Sequence, residues 1–122
     1  MLELDAPRRV GAGTSAALVL RLRNTGSQPA TLYLRGRHIA FDFLVTNQQG
    51  VVWQRLHGQT VPAIARVVDL AAGEVMEFRE TWPLTNNDGR PVAAGSYSVE
   101  GLLLREEPEP MRTTVHQLDV SG

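Results

Sequence analysis

Val75-Met76-Glu77-Phe78-Arg79-Glu80-Thr81-Trp82-Pro83, then Asn86-Asn87-Asp88-Gly89, then Gly95-Ser96-Tyr97-Ser98-Val99-Glu100-Gly101-Leu102-Leu103-Leu104, is the stretch whose reading decides the fold. Met76, Phe78 and Trp82 lie on one side of a two-residue alternation, and Val75, Glu77, Arg79 and Thr81 lie on the other. Glu80 interrupts the apolar row near its end. In the second run Tyr97, Val99, Gly101 and Leu103 share a face. Period-two alternation bounded by Gly, Pro, Asn and Asp marks half-buried antiparallel strands. Gly73 and Gly95 permit backbone angles closed to other residues, and Asn-Asp-Gly tolerates a left-handed turn. Pro83 cannot donate to a ladder and so marks a strand end. Residues 70–104 therefore read as strand, long turn, strand.

The same pattern extends in both directions. Glu3 to Val10 reads as one short edge strand, because Pro7 argues against a central position. After a turn at Gly11 and Gly13, Ser15 to Asn24 is a strong strand with Ala16, Leu18, Leu20 and Leu22 on one face. Asn24 to Pro29 is a turn cluster. Ala30 to Arg35 follows with Leu32 and Leu34 inward and Thr31, Tyr33 and Arg35 outward. Ile39 to Asn47 alternates again, and Gln48-Gln49-Gly50 joins it to Val51–Arg55 as a short-loop hairpin. Leu56 to Val68 lacks clean alternation and reads as a long loop with room for one short strand. Past Leu104, Arg105 to Pro110 is an acidic, proline-bearing turn, and Thr113 to Val120 closes the sheet. No segment sustains a helical period. Seven to eight short strands spaced by turn signals indicate an all-β, immunoglobulin-like antiparallel sandwich. Tyr97, opening a late strand just after a Gly turn, fits the position of a tyrosine corner.

Length and composition bound what such a sandwich does. A chain of 122 residues is read as a single domain, 1–122. It buries enough surface to fold without a metal or disulfide staple. The net charge of −1 gives no basic field for nucleic acid. All 12 basic residues are Arg, so every cation can make bidentate contacts. The absence of Cys removes disulfides, thiol catalysis and thiolate metal sites. The start, Met-Leu-Glu-Leu-Asp, has no apolar core of signal-peptide length, and no run approaches a membrane span. A cytoplasmic location is expected, or an extracytoplasmic one if a leader precedes these residues.

Catalytic and ligand-binding constellations are weak. His38, His57 and His116 are not at metal-ligand spacing with one another. His38 and Asp42 on one strand are roughly 13 Å apart. There is no nucleophile elbow, P-loop or dinucleotide fingerprint. Glu106, Glu107 and Glu109 sit among prolines, which favours a solvated turn over a paired-carboxylate site. Asn87-Asp88-Gly89 lacks the alternating acids and terminal Glu of a calcium loop. Trp53 and Trp82 read as packing in preference to sugar or base stacking. Tyr33, Arg35, Arg21 and Arg23 make a candidate patch, read first as a plain solvated sheet face. No catalytic residue, cofactor or metal is expected, and the expected partner is a protein.

Taken as an ordered set, Leu20-x-Leu22-x-Asn24, Phe41-Asp42-Phe43-x-Val45, Gly50-Val51-Val52-Trp53, Leu70-x-x-Gly73-Glu74, Trp82, Gly89-x-x-Val92 and Ala94-Gly95-x-Tyr97 resemble the intracellular proteinase inhibitor family, the BsuPI domain. They span about residues 18 to 104. The resemblance implies an immunoglobulin-like sandwich that is not an enzyme and that inhibits serine proteinases, a subtilisin-type target being the expectation. An inhibitor must cover or enter an active cleft with a loop held at both ends. The expected partner-binding loop is the long irregular segment, carried by Leu56, His57, Gln59, Val61, Pro62, Ile64 and Arg66, with Leu84 to Ala94 as runner-up. The alternative is a non-inhibitory immunoglobulin-like interaction module of a bacterial envelope or regulatory protein. Oligomeric state stays open, with Pro7 protecting the N-terminal edge.

Overall fold

A computed structural model gives the architecture. It describes residues 1–35, 41–61, 65–105 and 110–122, without the side chains of residues 35 and 65. The described strands are β1 (Leu2–Asp5), β2 (Arg9–Gly11), β3 (Ala16–Arg23), β4 (Ala30–Arg35), β5 (Phe41–Asn47), β6 (Gly50–Gln54), β7 (Ala65–Leu70), β8 (Val75–Trp82), β9 (Gly95–Leu103), β10 (Met111–Arg112) and β11 (His116–Ser121). One sheet runs β1-β3-β8. The facing sheet runs β2-β11-β9-β5-β6, with β10 also on β9. The pair β4-β7 forms a separate ribbon.

The alternation read from the sequence decides which face is dry. Ala16, Leu18, Leu20 and Leu22 of β3 meet Phe43 and Val45 of β5, Tyr97, Val99 and Leu103 of β9, Leu118 and Val120 of β11, and Trp82 of β8. Each buried Leu, Val or Phe side chain contributes about 1.5–3 kcal/mol relative to an exposed one. Gly101 pairs with Phe43 in the ladder. A Cβ there would lie 2.7 Å from Leu20 Cδ1 of the opposite sheet. Gly101 thus lets the two sheets approach closely around Leu20, and a side chain would push them apart. Trp82 is fully buried, and its indole N–H donates to Thr85 O at 2.8 Å. Trp53 is partly buried 6.5 Å from it, so both tryptophans pack as the sequence indicated. The Tyr97 hydroxyl donates back to Ala93 O at 2.5 Å, closing a tyrosine corner, and burial raises its pKa above the ordinary phenol value.

A corner at Asn24 links sheet to ribbon. β3 pairs with β8 from Ala16↔Trp82 to Arg23↔Val75, and beyond the bend β4 pairs with β7 from Ala30↔Leu70 to Arg35↔Ala65. Asn24 N–H donates to Glu74 O, and Asn24 O accepts from Gly73 N–H. The Asn24 side-chain amide donates to Gln28 O and Leu70 O, and its Oδ1 accepts from Gly26 N–H. Gly73 has φ +78°, which a residue with a Cβ rarely adopts. The Asn24 and Gly73-Glu74 signals in the sequence are therefore one structural device.

Two expectations are corrected. Glu3 to Val10 is not one strand. β1 belongs to the first sheet and pairs with β3, whereas β2 runs parallel to β11 in the second. Pro7 lies at the switch, where its missing N–H costs no ladder bond. The irregular segment is also shorter than Leu56 to Val68, because β7 begins at Ala65. Val68 and Leu70 turn inward while Val67 and Asp69 are exposed, an alternation hidden in the sequence by the apolar run before it.

Candidate functional site

Two loops meet beside β6. The first follows Gln54 and makes consecutive turns, with His57 N–H donating to Gln54 O and Gln59 N–H to Leu56 O. Gly58, at φ +74°, allows the chain to reverse there. The second runs from Leu84 to Ala94. Asn86 organises its tip, accepting at Oδ1 from the Asp88 and Arg90 N–H groups, while Asn86 N–H donates to Arg90 O. Leu84 is the non-glycine residue with positive φ, 58°, among those described. Its side chain is buried and its carbonyl accepts from Val92 N–H. Bonding at both ends of the loop over-determines this costly conformation.

Three groups fix the base of the site. Asn87 donates its amide to Gln54 O at 3.0 Å and accepts from Gln54 N–H at 2.9 Å. Asp42, 4% exposed, accepts from Phe43 N–H and Leu56 N–H at Oδ1, and from the Gln54 side-chain amide at Oδ2. A buried carboxylate is tolerated when its oxygens are hydrogen-bonded in this way. Arg55 then bridges the two sheets. Its Nε donates to Glu80 Oε2 at 2.9 Å, its Nη1 donates to Phe41 O at 2.9 Å, and its guanidinium lies 3.7 Å from the Phe41 ring centre. The acid that interrupts the apolar row of β8 is thereby explained: Glu80 faces inward to receive Arg55.

A groove of about 690 Å³ opens between these loops and the β5–β6 hairpin, with His57, Gln54, Asn86, Asp88 and Pro91 in its walls. It adjoins a second of about 610 Å³, the two sharing Asn47, Gln49, Ala93 and Tyr97. The walls are rich in amides and poor in charge, which suits hydrogen bonding to peptide groups.

Of the residues expected to carry binding, Leu56 is half-buried, His57 and Gln59 are exposed on the turns, and Val61 is half-buried. Pro62 and Ile64 lie outside the described residues. Arg66 is exposed within β7, opposite Leu34 and away from the turn. The main and runner-up loops are brought together, which no local sequence signal revealed. Asp42, Gln54 and Asn87 were not singled out as binding residues, since their role depends on pairs far apart in sequence.

Other candidate constellations are placed as follows. His38, Glu106, Glu107 and Glu109 lie outside the described residues. His116 Nε2 sits 3.0 Å from Pro7 O. No group of three His, Asp or Glu that could hold a metal occurs among the described residues. Tyr33 is 55% exposed on β4. Arg21 is committed to Glu77 and Asp5, whose carboxylates raise its pKa, hydrogen bonding to Glu77 being the larger cause. No helix among the described residues is long and apolar enough to cross a membrane.

Comparison with known proteins fits this architecture. The chain superposes on part of the Pseudomonas fluorescens alkylpurine DNA glycosylase AlkC with a TM-score of 0.51 at 15% identity, covering 95% of this chain and 28% of that one. It superposes on part of a Listeria innocua β-glucosidase with a TM-score of 0.52 at 15% identity, covering 100% of this chain and 16% of that one. The chain thus spans less than a third of either protein, and at this identity the likeness is one of fold. No curated protein matches the sequence. The family model described as intracellular proteinase inhibitor, BsuPI, matches residues 5–108. With that match over most of its length, carried on an immunoglobulin-like sandwich, the chain belongs to the intracellular proteinase inhibitor (BsuPI) family.

Proposed function

We propose that the protein is a non-catalytic inhibitor of a subtilisin-type serine proteinase and that it docks through the rim formed by residues 56–61 and 84–94. The observation that carries this reading is the clasp between Asn87 and the backbone of Gln54, which holds one loop against the root of the other. Affinity in such a complex depends on ordering the contact loops before the partner arrives. The turns at residues 56–59, the Asp42 anchor under Leu56 and the bonded tip at Asn86 supply that order. His57, Gln59 and Val61 on the first loop, and Asp88 and Arg90 on the second, then face the proteinase.

The experiment is a titration of a subtilisin-type proteinase with the protein, following residual activity and the integrity of both chains on gels. Stoichiometric loss of activity with an intact inhibitor band is expected. Gln59→Arg and Asp88→Arg, both at exposed positions, should each weaken inhibition without lowering the melting temperature. Full proteinase activity at large molar excess, across several serine proteinases, would overturn the reading and favour a non-inhibitory interaction module.

A further inference from the structure

Among the described residues β8 ends the sheet β1-β3-β8, and it pairs with β3 over eight residues without a register shift. Asn24 N–H donates to Glu74 O, so the even-numbered residues of β8 bond to β3. Val75, Glu77, Arg79 and Thr81 therefore turn their N–H and C=O groups outward. Thr81 confirms the parity, because its N–H is taken by the side chain of Glu80 at 2.9 Å.

Two other edges are guarded. β6 is interrupted by a register shift, and both backbone groups of Gln54 are held by Asn87. β1 runs into Ala6-Pro7. β8 has neither a bulge nor a proline before Pro83, and a regular edge strand is a template for another strand.

The geometry points to antiparallel pairing of two β8 strands about a two-fold axis at Phe78. In that register Glu77 of each copy lies directly opposite Arg79 of the other, and Val75 lies opposite Thr81. The Glu77 and Arg79 positions supply four backbone hydrogen bonds with no rearrangement of Glu80. The facing Glu77–Arg79 Cα atoms would be about 5.5 Å apart. This is closer than the roughly 6.6 Å between the same two residues along one strand, where Arg79 already reaches Glu77 at 3.2 Å. Sliding by two residues, the smallest slip that keeps outward groups paired, places Glu77 against Glu77 or Arg79 against Arg79, which like-charge repulsion disfavours. Charge thus selects one register and one occupant. On the inner face the half-buried Phe78 and Met76 would lose their remaining exposure.

Sedimentation velocity over a wide concentration range tests the pairing. The wild-type chain is expected to dimerise. Arg79→Glu and Glu77→Arg should each weaken association about tenfold or more, and an equimolar mixture of the two variants should recover a heterodimer. Arg21 keeps Asp5 as partner in the second variant. Arg79→Pro deletes one outward donor at no cost to the β3 ladder, and should be monomeric with an unchanged far-UV circular dichroism spectrum. A wild-type chain that stays monomeric throughout would overturn the inference. So would an Arg79→Glu variant that dimerises as tightly as wild type. Proteinase titration does not enter this readout, so it stands apart from the inhibitor reading.

Discussion

Asn87 stands to Gln54 as the peptide group of a neighbouring strand would, giving one hydrogen bond and taking another 33 residues away in sequence. Asn87→Asp keeps the shape and the acceptor but loses the donor to Gln54 O. It also sets a carboxylate against that carbonyl. A loss of about 1–3 kcal/mol is expected, read from urea unfolding, together with faster hydrogen exchange in residues 84–94 and weaker proteinase inhibition.

Asp42→Asn tests the anchor beneath the first loop. The carboxylate accepts three hydrogen bonds, two from backbone N–H groups and one from Gln54. An amide offers one oxygen in place of two and turns an NH2 group toward a donor. The expected cost is about 1–3 kcal/mol, with exchange at the Leu56 amide accelerated while the β3–β8 amides stay protected.

Gly101→Ala probes the approach of the sheets. The added methyl would meet Leu20 Cδ1 at 2.7 Å and Thr113 Cγ2 at 3.3 Å. Overpacking of this kind costs about 1–3 kcal/mol. Pairing the change with Leu20→Val should return part of that loss in thermal unfolding.

Acid sensitivity is assigned to Glu77. The hydrogen bond from Arg21 holds its carboxyl below the ordinary value of 4.5, against an opposing effect of burial and with help from Arg79. The unfolded chain therefore takes up this proton at higher pH than the folded one. The stabilisation is complete above about pH 4.5 and is lost as pH falls through the lower folded value. Glu77→Gln should melt below wild type near neutral pH, and the difference should shrink as the pH is lowered through that window. A constant difference across the range would contradict the assignment.

Much of the sandwich is legible in the sequence because it follows from patterns within a few residues. The alternation in β3, β8 and β9 predicts their dry faces, Gln48-Gln49 predicts the hairpin, and Tyr97 after Gly95 predicts its corner. The interruption at Glu80 is visible as a break, but its cause is Arg55, 25 residues away and on the opposite sheet. β7 is legible only as room for one short strand, because Ala63, Ile64 and Ala65 blur the start of its alternation. The division of the N-terminal segment between two sheets is hidden for a different reason: β2 is positioned by β11, and no local signal carries that pairing. The site suffers most from this, since the meeting of its two loops depends on Gln54 and Asn87.

The parallel clasp of β2 on β11 bears on how the chain comes off the ribosome. Val10 O accepts from the hydroxyl of Ser121, 111 positions later. Synthesis is vectorial, so the segment around Val10 waits until residues 119–121 have emerged before its partner exists. The β5–β6 hairpin can form early from local contacts, whereas closure of the larger sheet waits for β11. Nascent chains stalled before residue 116 should consequently leave the Arg9–Gly11 segment open to protease attack, and chains with residues 116–121 clear of the ribosome should protect it.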